Sequence, residues 1–137
     1  MCAFPAERQR PLTATQQLVL DALGSSDHFR SAQHICADIR EDRTLRIGLT
    51  SVYRILRGLV ADEIAEAQRA EDGEVLYRRR SHSGHRHYLL CRRCGRAIAF
   101  TPSALEERTG ELSARHRFTE VTHHIDLYGI CPRCRAQ

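Results

Sequence analysis

Two Cys-x-x-Cys pairs, Cys91 with Cys94 and Cys131 with Cys134, constrain this chain more than any other feature. Four thiolates in two such pairs can close a tetrahedron around Zn2+, each pair supplying one edge. The pairs stand 36 residues apart, so the segment between them forms one small unit stapled at its ends. Gly95 lets the backbone turn beneath the first pair. A redox dithiol normally opens a helix, whereas Cys91 and Cys94 lie between two strand-like runs, residues 87–90 and 96–100. Structural zinc is therefore expected. Four thiolates saturate the ion and leave no open position for catalysis.

The chain has 137 residues, too few for a large core in either half, and a metal clip or a partner subunit compensates for that in small domains. No apolar run approaches a membrane span, and the N-terminus lacks the basic, apolar and small-residue succession of a signal peptide. A cytoplasmic, reducing location follows, in which paired thiols are metal ligands more often than bridges. Cys2 and Cys36 stand alone. The net charge of +4 points only weakly to nucleic acid, because residues 1–80 hold twelve Arg against twelve Asp or Glu. All 21 cationic residues are Arg, which favours planar, bidentate contacts with phosphate or guanine.

Hydrophobic periodicity gives the N-terminal half three helices and a hairpin. The first ten residues read as a mobile arm. Thr13 caps a helix to about Leu23, Ser31 caps a second to about Arg40, and a third runs over residues 51–62. Residues 64–70 and 74–79 read as strands joined by Asp72-Gly73, a strong hairpin signal. Three short helices followed by a hairpin form a winged helix-turn-helix. In the third helix Val52, Ile55, Leu56 and Leu59 make a core stripe. Thr50, Tyr53, Arg54 and Arg57 lie opposite, where hydroxyls and guanidinium groups can meet a major groove. Residues 81–86 read as a hinge. Beyond it, the strands flanking the first cysteine pair are followed by a helix over residues 101–116, with Pro102 in its first turn. A strand over residues 118–128 then leads to the second cysteine pair. The fold class is α+β, with domains at 1–80, 81–86 (hinge) and 87–137.

Histidines cluster around the first knuckle. His85 and His87, two apart on a strand, project from one face and can share an ion. His123 alternates with Val121, Ile125 and Leu127, on a face expected to be buried; His124 falls opposite. Alone, His123 reads as a core histidine, and Glu106 as the far end of a capping box that starts at Ser103. Only the ensemble argues for a second metal.

These residues together resemble the ferric-uptake-regulator superfamily of metal-dependent repressors, from about Thr13 to Cys134. The specific segments are residues 48–56 (GLTSVYRIL), 85–95 (HRHYLLCRRCG) and 129–134 (GICPRC). Residues 69–78 (RAEDGEVLYR) are most similar to actinobacterial zinc-uptake regulators. The resemblance implies a homodimer, paired through residues 87–137, that offers a winged helix to pseudo-palindromic operator DNA. It assigns Thr50, Ser51, Tyr53, Arg54 and Arg57 to the DNA-reading helix and Cys91, Cys94, Cys131 and Cys134 to structural zinc. It gives His85, His87, Glu106 and His123 to a regulatory site in which Zn2+ is favoured over Fe2+ or Mn2+. Zinc-sensing relatives usually add a hinge site with a Cys shortly before the His run. Here Arg80 stands at that place, and Arg86 and Tyr88 replace imidazoles. The hinge site is thus either lost or rebuilt around His82 with Glu66.

The expected function is a zinc-dependent repressor of metal-uptake and homeostasis genes. Its rival on the same fold is a peroxide- or iron-sensing repressor. A zinc-stabilised interaction module without DNA binding is an alternative of another class. An enzyme is not expected: a zinc hydrolase needs an open coordination position and a general base, and no His-Glu-x-x-His motif is present.

Overall fold

The computed structural model describes residues 10–42 and 46–137. The expected N-terminal arm, apart from its last residue, and Cys2 lie outside those residues.

Helix α1 (Ala14–Gly24) starts where Thr13 was expected to cap it. The Thr13 hydroxyl accepts from the Gln16 amide, and the Gln16 side chain accepts from the Thr13 amide, closing a capping box. Strand β1 (Arg30–Ser31) precedes α2 (Ala32–Asp42), and Ser31 Oγ accepts from the His34 amide at 3.1 Å. Helix α3 (Leu49–Ala61) begins two residues earlier than expected. The Gly48 carbonyl already accepts from Val52, and no side chain caps this end. Strands β2 (Ala65–Arg69) and β3 (Val75–Arg79) form the expected hairpin; Gly73 takes φ +92° and Asp72 Oδ1 accepts from the Glu74 amide. The sheet order is β1-β3-β2. Leu18, Val19, Leu23, Ile35, Val52, Leu56 and Leu59 meet in one core beneath it, with Tyr77 of β3 turned inward.

The second sheet has the order β5-β4-β6, built from β4 (His87–Cys91), β5 (Ala97–Phe100) and β6 (Asp126–Gly129). The first knuckle joins β4 to its antiparallel neighbour β5, while β6 runs parallel to β4. A parallel neighbour needs a crossover, which α4 (Ser103–Arg115) supplies, and α5 (Pro132–Arg135) closes the chain.

Two expectations need correction here. The final strand spans four residues, not eleven, because Asp126–Gly129 already matches Tyr88–Cys91 of the short β4 and, among the described residues, no strand pairs with residues 118–125. The face holding His123 is not buried: Val121 and Leu127 remain about half exposed. The same holds for Leu105, Leu112, Leu89 and Ile98, Phe118 is more exposed still, and no residue of α4 is fully buried.

The halves touch directly. Phe29, in the loop before β1, packs against Tyr88 and Leu90 of β4, and its amide donates to the Gly95 carbonyl at 2.9 Å. Gly95 has φ +78°, and a Cβ there would lie 2.0 Å from the Phe29 carbonyl oxygen, so only glycine permits this approach. Among the described residues, no helix is long and apolar enough to cross a membrane.

Candidate metal centres and nucleic-acid face

On α3, Val52, Leu56 and Leu59 are buried and Ile55 is half-buried against the core. Thr50, Arg54 and Arg57 are exposed on the far side, with Ser51 and Tyr53 half-buried at its margin. Thr50, Arg54 and Arg57 thus lie opposite the core stripe, whereas Tyr53, expected with them, packs partly against the core. Burial raises the Tyr77 phenol above its usual value, and the positive charge of Arg57 pulls the other way.

Cys91 ends β4, Cys94 sits in the turn before β5, Cys131 precedes α5 and Cys134 lies within it. The four sulfurs lie within 4.8 Å of one another, and all four thiols are free. Cys94 Sγ and Cys131 Sγ are 3.8 Å apart. A tetrahedral ion held at about 2.3 Å from each sulfur separates them by about 3.8 Å, so this donor set fits zinc. Burial works against ionising Cys91, but the amides of Cys131, Cys94 and Arg93 point at its sulfur and bring it down to about 6. Burial and the thiol hydrogen bonds of Cys131, Cys94 and Cys91 push Cys134 up to about 12.

The second cluster assembles from four separate places. His85 ends the segment between the two sheets, His87 opens β4, Glu106 lies in the first turn of α4, and His123 precedes β6. Their donor atoms also lie within 4.8 Å of one another. His87 Nε2 stands 3.0 Å from His85 Nε2, 3.1 Å from His123 Nε2 and 3.2 Å from Glu106 Oε1. One ring nitrogen cannot hydrogen-bond to three such neighbours at once, since it offers a single proton or a single lone pair. A cation at their focus would satisfy all four donors. His87 is buried, Glu106 and His123 are half-buried, and His85 is exposed. The capping-box reading of Glu106 is not realised. Pro102, not Ser103, precedes the first turn, no side chain caps it, and the carboxylate faces the imidazoles instead.

His82 and Glu66 also come together, at 2.5 Å between Nε2 and Oε2. Their company differs from that of the other two clusters. Arg78 donates to Glu66 Oε1 from Nε at 2.9 Å and from Nη2 at 2.5 Å, and the Tyr88 hydroxyl lies 3.0 Å from both carboxylate oxygens. Sequence reasoning overlooked Arg78. Its signal was available: a hairpin turning at Asp72-Gly73 sets Glu66 opposite Arg78 in register.

A winged helix joined to a small mixed sheet, with one thiolate set and one imidazole–carboxylate set in the second unit, defines a class of two-centre winged-helix regulators. The chain belongs to the Ferric uptake regulator family, whose sequence profile matches residues 8–128. It is 35% identical over 124 residues to a zinc uptake regulation protein of Mycobacterium tuberculosis, covering 90% of this chain and 94% of that one. It is 30% identical over 121 residues to the ferric uptake regulation protein of Escherichia coli K12, covering 88% and 80%. Among solved structures it resembles a zinc uptake regulator complexed with zinc and DNA, with TM-score 0.71 at 22% identity over 96% of this chain and 87% of that one. The Vibrio cholerae ferric uptake regulator matches with TM-score 0.66 at 26% identity, covering 88% and 92%.

Proposed function

We propose that this chain is a cytoplasmic, zinc-dependent, DNA-binding transcriptional repressor of metal-uptake and homeostasis genes, acting as a homodimer and not as an enzyme. The observation that carries this reading is the convergence of His85, His87, Glu106 and His123 beside the segment that connects the winged helix to the second sheet. Support comes from the relative named for zinc uptake regulation and from the fold shared with a zinc- and DNA-bound regulator. Cys91, Cys94, Cys131 and Cys134 hold structural zinc, which closes the second unit. Thr50, Ser51, Tyr53, Arg54 and Arg57 face the operator.

Zinc bound at the second cluster supplies a cross-link and no reaction. The residues do the rest. His85 and His87 anchor the end of the connecting segment, Glu106 holds the first turn of α4, and His123 fixes the chain entering β6. With these four restrained, the winged helix keeps one orientation relative to the second sheet. In a symmetric dimer the two recognition helices then stand at one separation, as a two-fold operator requires. Released, they sample several separations, and apparent affinity falls with the competent fraction. The half-exposed apolar residues on α4 and the second sheet support pairing with a second copy, because exposed apolar surface marks interfaces.

Three imidazoles and a carboxylate also suit Fe2+ or Mn2+, and the 30% identity to a ferric uptake regulation protein keeps the iron-sensing reading alive. Titrating binding to a pseudo-palindromic operator with zinc, iron(II) and manganese(II) separates them. Zinc should confer tight binding at the lowest free concentration. Binding that ignores operator sequence and every metal would overturn the proposal in favour of an interaction module.

A further inference from the structure

The segment between the two sheets is crossed by a third cluster whose chemistry is not that of a metal site. Glu66 lies on β2, Arg78 opposite it on β3, His82 in the connecting segment and Tyr88 on β4, next to His87. The carboxylate takes hydrogen bonds from all three partners, and these side chains are at least 86% buried, with Arg78 the most exposed at 14%. The Arg78 guanidinium lies 4.4 Å from the Phe29 ring centroid and 5.1 Å from that of Tyr88, and those two rings meet edge to face at 5.4 Å. Arg78 Nη1 also donates to the Asp27 carbonyl. One cation thus binds the loop before β1, both strands of the hairpin and β4. Arg80 laces the connecting segment itself, donating to the carbonyls of His82 and Gly84.

We infer that this cluster is a metal-free clamp: Arg78 occupies the place of a hinge ion and fastens the winged helix to the second sheet without one. The residues present do not fit a metal. Glu66 and His82 are the only carboxylate and imidazole of the cluster, and a protein site for a transition metal normally needs at least three ligands. His82 Nδ1 is buried without a partner, yet among the described residues no thiol, carboxylate or further imidazole joins it in a three-ligand set. The Tyr88 hydroxyl is spent on the Glu66 carboxylate, 3.0 Å from both of its oxygens. The Glu66 charge is already balanced by Arg78, and a dication would have to displace that guanidinium or sit beside it. Among the described residues, the clamp therefore leaves His85, His87, Glu106 and His123 as the metal-responsive cluster. Tyr88, adjacent to His87, links the two.

This inference rests on the repressor reading for its regulatory meaning, but its test does not. The full-length, zinc-loaded protein is compared with Glu66→Gln, which keeps the shape and removes the charge, by native mass spectrometry and amide hydrogen exchange. Both proteins should carry two zinc ions per subunit. Exchange over residues 80–86 should be about tenfold faster in the variant, the loss expected from weakening one charge-assisted hydrogen-bond set, with the α1–α3 core unchanged. Operator affinity at saturating zinc should fall by a similar factor. Should Glu66→Gln fail to fold, Tyr88→Phe keeps both rings and removes one hydroxyl, and should speed exchange in the same residues by a smaller factor. A third zinc in the parent that disappears in either variant overturns the clamp. So does unchanged exchange over residues 80–86. A parent that binds no operator would sink the repressor reading while leaving the zinc count and exchange to decide the clamp.

Discussion

The Nε2 atoms of His87 and His123 stand 3.1 Å apart although 36 positions separate them in the chain, and their rings stack with centroids 5.0 Å apart. Two ring nitrogens that both present lone pairs at that distance repel, and a shared cation removes the repulsion. Removing one ring should therefore end metal capture at this cluster and spare the distant thiolates. His123→Ala is expected to abolish zinc-dependent operator binding, measured by fluorescence anisotropy, and to retain one zinc per subunit. Because imidazoles must be unprotonated to coordinate, the parent should lose this second zinc on mild acidification. Full metal-responsive binding in His123→Ala would move the switch elsewhere.

The thiolate cluster predicts a different kind of failure. It joins β4 to α5 across the sequence, and the amides of Cys131, Cys94 and Arg93 are already aimed at the Cys91 sulfur. Structural zinc binding is coupled to folding. Cys91→Ser or Cys131→Ser should release zinc and unfold or monomerise the second unit. A soluble dimer with an unchanged thermal midpoint would contradict the assignment.

Much of this is legible in the sequence. Asp72-Gly73 located the hairpin because the turn needs a positive φ, and the four cysteines located the knuckles because thiolate chemistry dictates their spacing. The faces of α3 followed from helical period alone. What sequence could not supply were contacts that depend on partners far along the chain. Glu106 carries a local capping signal, and only the approach of α4 to β4 turns its carboxylate to the imidazoles. Residues 118–125 alternate like a strand, yet a strand forms only where a neighbour offers hydrogen bonds, and β4 is too short to offer them. The Phe29–Gly95 contact leaves no pattern at all, since its requirement is the absence of a Cβ.

Among the described residues, no residue of helix α4 is fully buried, and Leu105, Leu112 and the following Phe118 are 48%, 57% and 70% exposed. A helix with that stripe is stabilised by tertiary packing, not by propensity, so a second copy must cover it. Leu112→Glu should give a monomer by analytical ultracentrifugation and weaken the second zinc, because Glu106 would lose the support that holds it in place. A dimer of unchanged stability would mean that pairing uses another surface.

The recognition helix offers the most direct measurement of the DNA-binding reading. Arg54 is exposed on the face of α3 opposite Val52 and Leu56, free to reach into a groove. Tyr53 is half-buried against the core, with only part of its surface available. An arginine reading guanine bidentately contributes roughly 1–3 kcal/mol, and its loss relaxes specificity at one position. A phosphate contact instead weakens all sequences alike and lowers the salt slope by about one. Arg54→Ala should therefore cost roughly 1–3 kcal/mol on the operator and much less on unrelated DNA. Tyr53→Phe should cost less than Arg54→Ala, since it removes one hydroxyl and leaves the packing of the ring intact. Both variants should keep two zinc ions and the dimer. If Arg54→Ala loses affinity equally on every sequence with a shallower salt dependence, Arg54 holds the backbone and another side chain reads the bases. If both variants bind as tightly as the parent, this face of α3 does not meet DNA.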